Sequence, residues 1–258
     1  MTTIHLDKKD VRKPDLVTEE LKKGFQWGTS HLKIVGFAVF LFVLAGIGYS
    51  VQQYLSSKKE GAATADYALI EKDYLKKKES FEKFETTAQQ KNQKIKDQVE
   101  PQGEKASGDL EKDYGIILQG FQKIIEKHPG TQASIMSTMT MNEIYLKYQK
   151  PELALQTTNK IKTGNNLLSS LLLTQKGTIQ ANLNDCKSAL ETWGQVLKNK
   201  NAQFVHSDVL LKQALCYETM NDSAKATESL NKVIAESKDG AISKTAEKYL
   251  RIIKSKIK

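Results

Sequence analysis

Four histidines and two cysteines are the residues best suited to catalysis or metal binding in this 258-residue chain. His5, His31, His128 and His206 stand far apart, and no two share the four-residue spacing that aims two imidazoles from one helix face at a metal. A Ser/His/Asp relay would have to be assembled by distant folding, and nothing around these histidines marks a nucleophile or its base. Neither a glycine-rich phosphate loop nor a dinucleotide fingerprint follows a strand-like run. The sequence therefore predicts no enzyme, no metal, no cofactor and no small-molecule substrate. Cys186 and Cys216 have two readings. Paired, they imply an oxidising compartment. Unpaired, they are two small buried hydrophobes.

Two cysteines are too few for a disulfide miniprotein, and 7% aromatic residues disfavour a β-sandwich of many packed strands. The charge of +9 is uneven: residues 241–258 hold six basic residues against one acid, Glu247. Those lysines are spaced through a helical pattern without stacking aromatics, so they read as a solvated helix face, with no nucleic-acid partner.

No charged side chain occurs between Ile34 and Ser57. The run Ile34–Val51, 18 residues long, would make a helix of roughly 27 Å, close to the thickness of a bilayer core. Trp27 and Lys33 precede it, and Tyr49 and Tyr54 lie at its far end, the types that favour the membrane–water interface. A cleaved signal peptide would need an n-region of 33 residues with five acids in it, so a retained anchor through 34–55 is expected. Three lysines flank each side (14–33 and 56–75), so charge barely orients the span; the basic arm 1–33 tilts it toward a cytoplasmic N-terminus.

The elements beyond the span read as helices. Ala63, Tyr67, Ile70, Tyr74 and Leu75 recur at helical steps within 60–78. Residues 79–109, with Pro101, Gly103 and Gly108 and few large apolar groups, read as a hydrophilic helix that breaks into a flexible link, so 56–109 is expected as stalk and linker. From 110 onward the pattern repeats. Asn142-x-x-Tyr145, Gly177-x-x-Gln180, Ala214-x-x-Tyr217 and Ala246-x-x-Tyr249 lie 35, 37 and 32 residues apart. Second helices carry Ala154, Ala189 and Ala226, followed four residues later by Thr158, Trp193 and Leu230, of which Thr158 departs from a bulky apolar type. Tyr114, Ile117, Phe121 and Ile124 make an earlier half-repeat ending at His128-Pro129-Gly130, and its partner is expected from 60–78.

This pattern resembles the tetratricopeptide class over 110–258. The resemblance implies an all-α fold: one N-terminal transmembrane helix followed by a solenoid whose first helices line the concave face. The residues expected on that face are Met136, Met139, Thr140, Glu143, Lys147, Thr174, Gln175, Thr178, Asn182, Lys212, Leu215 and Glu218. Most are polar, as suits recognition of another polypeptide. Met136 and Met139 serve equally as adaptable contacts or as core filler.

A charged arm, one span, a stalk and helical repeats together resemble the ancillary subunit of the SecYEG translocon. The residues that carry this are Val17 to Phe25 before the span, Thr158 to Gly164, Leu172 to Gly177, and Ala189 to Trp193. The insertion at 79–109 and a further repeat after 201 depart from that pattern. The resemblance implies a bacterial inner-membrane scaffold with a periplasmic repeat domain, partnered by translocon subunits, periplasmic chaperones or secreted chains. The repeats and the Pro129-Gly130 junction also resemble the cell-division coordinator of the Tol–Pal system, which lacks such an anchor. The opposite topology would make a cytosol-facing receptor.

Overall fold

A computed structural model describes residues 16–93, 101–237 and 240–256, and no strand occurs among them. The helices are α1 (Leu16–Ser30), α2 (Leu32–Gln93), α3 (Leu110–Lys127), α4 (Gln132–Lys147), α5 (Pro151–Asn159), α6 (Leu167–Asn182), α7 (Cys186–Lys198), α8 (His206–Thr219), α9 (Ser223–Glu236) and α10 (Ala241–Lys256). The chain divides into two units, Met1–Lys58 and Lys59–Lys258.

In the first unit the described side chains of 34–51 are all exposed. Their helix is long and apolar enough to cross a membrane, with a mean hydropathy of 2.3 over its best 18-residue window. The Trp27 ring stacks on His31 at 5.0 Å. The Lys58 ammonium sits 5.2 Å over the Tyr54 ring. Lys33 and Tyr49 are exposed.

The second unit begins inside α2. Ala63, Tyr67, Tyr74 and Phe81 share one core with Tyr114, Ile117, Phe121 and Ile124 of α3, so 60–78 does supply the partner of the early half-repeat. The helices run antiparallel, with Tyr67 on Phe121 at 5.7 Å and Tyr74 on Tyr114 at 6.0 Å. The α3–α4 turn is tied back to α2. Lys59 Nζ donates to the Pro129 carbonyl at 2.6 Å, and Asp66 accepts from Lys127 at 2.9 Å and meets His128 Nε2 at 2.9 Å.

Of the stalk and linker expected over 56–109, the helical part is present, and residues 94–100 of the link lie outside the described residues. Phe81 is fully buried, and α2 continues to Gln93. The described stretch Pro101–Asp109 is held by hydrogen bonds rather than apolar burial. The Gln102 amide donates to Thr87 Oγ1 at 3.0 Å and the Glu104 amide to Ser80 Oγ at 2.9 Å. Gly103, at φ 102°, lies so close to the Ser80 carbonyl that a Cβ would collide with it. The Ser107 and Gly108 amides each donate to the Asp113 carboxylate at 3.0 Å, and the Tyr148 hydroxyl donates to it at 2.7 Å. A sequence poor in apolar groups thus finds its order in polar satisfaction, a signal that hydrophobic periodicity does not carry.

From α4 onward the chain is a tetratricopeptide-like stack. The hairpins α4–α5, α6–α7 and α8–α9 turn by one device. Gln149, Asn184 and Asn221 are left-handed at φ 56°, 62° and 62°. The next amide in each case reaches back five residues, to the carbonyls of Tyr145, Gln180 and Tyr217 at 2.8–2.9 Å. Asp185 and Asp222 then cap the second helices through Ser188 N and Lys225 N at 3.1 Å, while the first hairpin uses Pro151 at the start of α5.

Within each hairpin the helices cross at a pair sixteen residues apart, and the two sizes compensate. Gly177 faces Trp193 so closely that a Cβ would strike the indole. Ala214 and Leu230 share one core cluster. At the first crossing both partners are polar: Asn142 Nδ2 donates to Thr158 Oγ1 at 2.7 Å, which explains the departure at Thr158. Ala154, Ala189 and Ala226 are fully buried.

Two predictions follow from this packing. Gly177→Val should cost at least about 1–3 kcal/mol, because the indole has nowhere to go; a thermal melt unchanged from wild type would contradict the packing described. Burial pushes the Asp113 carboxyl up, but the Tyr148 hydroxyl and the Ser107 and Gly108 amides outweigh it, so its pKa is lowered. Its stabilisation is therefore complete above the unfolded carboxylate range near ~4 and is lost as pH falls through the lowered folded value. Asp113→Asn should cost about 1.5–3 kcal/mol at neutral pH and flatten the acid limb of a urea-midpoint series.

Candidate protein-binding face

Two rows of helices make the stack. The first helix of each hairpin lies close to the next first helix, α4 to α6, α6 to α8 and α8 to α10. Among the described residues no comparable approach joins α5 to α7 or α7 to α9. The first helices α4, α6, α8 and α10 thus form the more closely packed row of the stack.

The residues expected on this face separate into three groups. Met136, Thr140 and Glu143 of α4 turn toward α2. Met136 packs on the α2–α3–α4 core. The Glu143 carboxylate is paired with Lys78 Nζ at 2.6 Å, and this partner holds the Lys78 pKa up. Thr140 reaches the Tyr67 hydroxyl, whose pKa burial pushes up to about 12. Lys147 is exposed. The first-helix face is thus already occupied by α2 at this end, and a reading from α4 alone could not show it.

A second group holds neighbouring repeats together. Gln175 accepts from Asn142 Nδ2 at 2.9 Å and donates to the Met139 carbonyl at 3.2 Å. Thr174 instead serves its own hairpin, its carbonyl accepting from Trp193 Nε1 of α7 at 3.1 Å. Glu218 accepts from Lys256 at 2.7 Å, joining α8 to α10.

The third group borders a cleft. Thr178 and Asn182 of α6 face Lys212 and Leu215 of α8 across a space of about 270 Å³, with Asn184 and Thr219 at its rim and Trp193, Cys186 and Cys216 in its wall. Lys212 is held by Asp208 at 2.6 Å, and Leu215 is 39% exposed. The cleft offers amide, hydroxyl and ammonium groups around an exposed leucine, a set suited to an amphipathic peptide. Asn184 and Thr219 were not expected here. The left-handed turn brings in the first, and the last turn of α8 the second.

Cys186 and Cys216 are paired, with Cα atoms 5.3 Å apart. The bond joins the start of α7 to α8 and so fastens one repeat to the next beside the cleft. Histidine chemistry does not assemble: His128 serves Asp66, and His206 Nε2 meets the Val196 and Asn199 carbonyls at 3.2 Å. His5 lies outside the described residues. No cluster of three metal-ligating side chains occurs among the described residues.

The family model for the tetratricopeptide repeat matches residues 208–239, which contain most of α8 and all of α9. Two solved structures of MamA are similar in part. One matches at 15% identity over 59% of this chain and 95% of its own, with a TM-score of 0.40. The other matches at 15% identity over 57% and 85%, with a TM-score of 0.39. A search of curated proteins gives no match.

Because the disulfide closes a separation of 30 residues across two repeats, breaking it should destabilise the unit by about 2–4 kcal/mol. Urea unfolding with and without reductant measures this, and Cys186→Ala/Cys216→Ala should show the oxidised chain's loss without responding to reductant.

Proposed function

We propose that this chain is a single-pass membrane protein with a cytoplasmic N-terminus, whose repeat unit serves in the periplasm as a scaffold that holds other polypeptides. The observation that carries the scaffold reading is the α6–α8 cleft. Its lining joins apolar surface from Ala181, Trp193, Leu215 and the disulfide to the polar groups of Thr178, Asn182, Asn184, Lys212 and Thr219, on helices that are fastened to each other by that disulfide and by inter-repeat hydrogen bonds. Helices of this kind present side chains in fixed register, so a bound segment need not pay for ordering its receptor.

Support for the compartment comes from the same residues. A disulfide persists where thiols are oxidised, which favours the periplasmic side over a cytosol-facing receptor. Support for the anchor is the wholly exposed apolar run of α2, which water would penalise and a bilayer would accommodate. The arm and repeat residues that resemble the ancillary translocon subunit point to secretion as the setting and to translocon subunits, chaperones or secreted chains as what is held.

A phosphatase reporter fused after Lys258 should be active in intact cells and a cytosolic reporter inactive; the reverse result would invert the topology. A photocrosslinker at Leu215 should capture polypeptides in the periplasm, and Leu215→Glu should abolish capture while leaving helicity intact. Purification in mild detergent without translocon subunits would remove that setting and leave the scaffold reading standing.

A further inference from the structure

Every hairpin after the first lays one flank on its predecessor. The α2–α3 pair has no predecessor among the described residues, and its outer flank is not built as a polar cap. On α3, Lys112, Ile116, Gln119, Lys123 and Lys127 recur at steps of four, three, four and four along one face. Ile116 is 87% exposed, and Leu69 on the facing side of α2 is 67% exposed. Two clefts of about 350 and 400 Å³ meet at Ile116 and together follow the seam between the helices. Gly120 keeps the floor of one cleft low, because a Cβ there would strike the Ile70 side chain.

The charge on the two rails is not balanced. Lys127 is paired with Asp66 and Lys77 with Glu104. Lys76, Lys112 and Lys123 have no carboxylate within ion-pair distance among the described residues; of the seam's acids Asp73 and Asp113 also lack a cation there, and the buried Asp113 is satisfied instead by the Tyr148 hydroxyl and the Ser107 and Gly108 amides. Exposed apolar side chains between unneutralised ammonium groups are complementary to an apolar stripe flanked by carboxylates.

We propose that this flank is a second docking surface, separate from the α6–α8 cleft, and that it takes an acidic amphipathic helix of a partner protein. The seam runs along α2 from Asp66 to Ser80, about 21 Å, the length of a helix of some four turns. A helix laid there would occupy the position of a preceding repeat's second helix. Its apolar stripe would cover Leu69 and Ile116, and its acids would meet Lys112 and Lys123 on one side and Lys76 on the other.

The test uses the full chain in mild detergent and two fluorescent peptides of about 18 residues, each with leucines at helical spacing, one flanked by glutamates and the other by lysines. Anisotropy should show the glutamate peptide binding at least about tenfold more tightly than the lysine peptide, with affinity falling as salt rises. Ile116→Asp, and separately Lys112→Glu/Lys123→Glu, should each weaken it at least about tenfold. Both sites are exposed, and an unchanged circular dichroism melt confirms the fold. Leu215→Glu should leave this binding intact, so its result is independent of the scaffold reading. Equal affinity for the two peptides, or binding indifferent to the α3 substitutions, would overturn the proposal. So would self-association of the chain that disappears in Ile116→Asp, since the flank would then be a contact between copies.

Discussion

The structure depends on how closely two helices can approach at one crossing. In each hairpin a residue of the first helix meets a residue sixteen positions later in the second, and the space between the axes must be filled without excess. Glycine with tryptophan, alanine with leucine, and asparagine with threonine are three solutions to one volume constraint. Each following first helix lies alongside the preceding one, α4 by α6, α6 by α8 and α8 by α10. The cleft between α6 and α8 is a consequence of that regularity.

Between repeats, directional bonds add to apolar burial, since Trp193 and Val196 of α7 share a core with Val209 of α8. Asn142 binds within its own hairpin through Thr158 and across to the next through Gln175, so one buried amide sets both the crossing and the stacking. The disulfide performs a similar task one repeat later, between α7 and α8. At the far end Glu218 and Lys256 bring α10 onto α8. Apolar burial runs within and between hairpins, and the directional bonds fix the register in which consecutive hairpins meet. A surface assembled on such a stack keeps its geometry when a ligand arrives, as recognition by a rigid scaffold requires.

The first hairpin differs from the others in how it is made. Its first helix is the far part of α2, and the Asp113 carboxylate organises the described end of the long connection to α3. Aromatic rings fill the crossing of α2 and α3 where the later hairpins use small residues. This pair shields α4 on one side and leaves an apolar, basic seam on the other.

Much of this was legible in the residues. The repeat spacing, the small residues at the crossings, the aspartates and asparagines of the turns, and the partnership of 60–78 with the early half-repeat all follow from periodicity and local backbone preference, which act over a few residues. The candidate site was legible only in part. Which first-helix residues remain open depends on what lies beside them: Glu143 and Thr140 meet α2, Gln175 meets Asn142, and Thr178, Asn182, Lys212 and Leu215 are left around a cleft. The ordering of 101–109 and the pairing of Cys186 with Cys216 were decided the same way. Sequence alone determined the helices and their order, because helical propensity and hydrophobic period are properties of neighbours along the chain. Tertiary structure decided which faces were used up and which remained, because hydrogen bonds, volume and exposure are properties of neighbours in space.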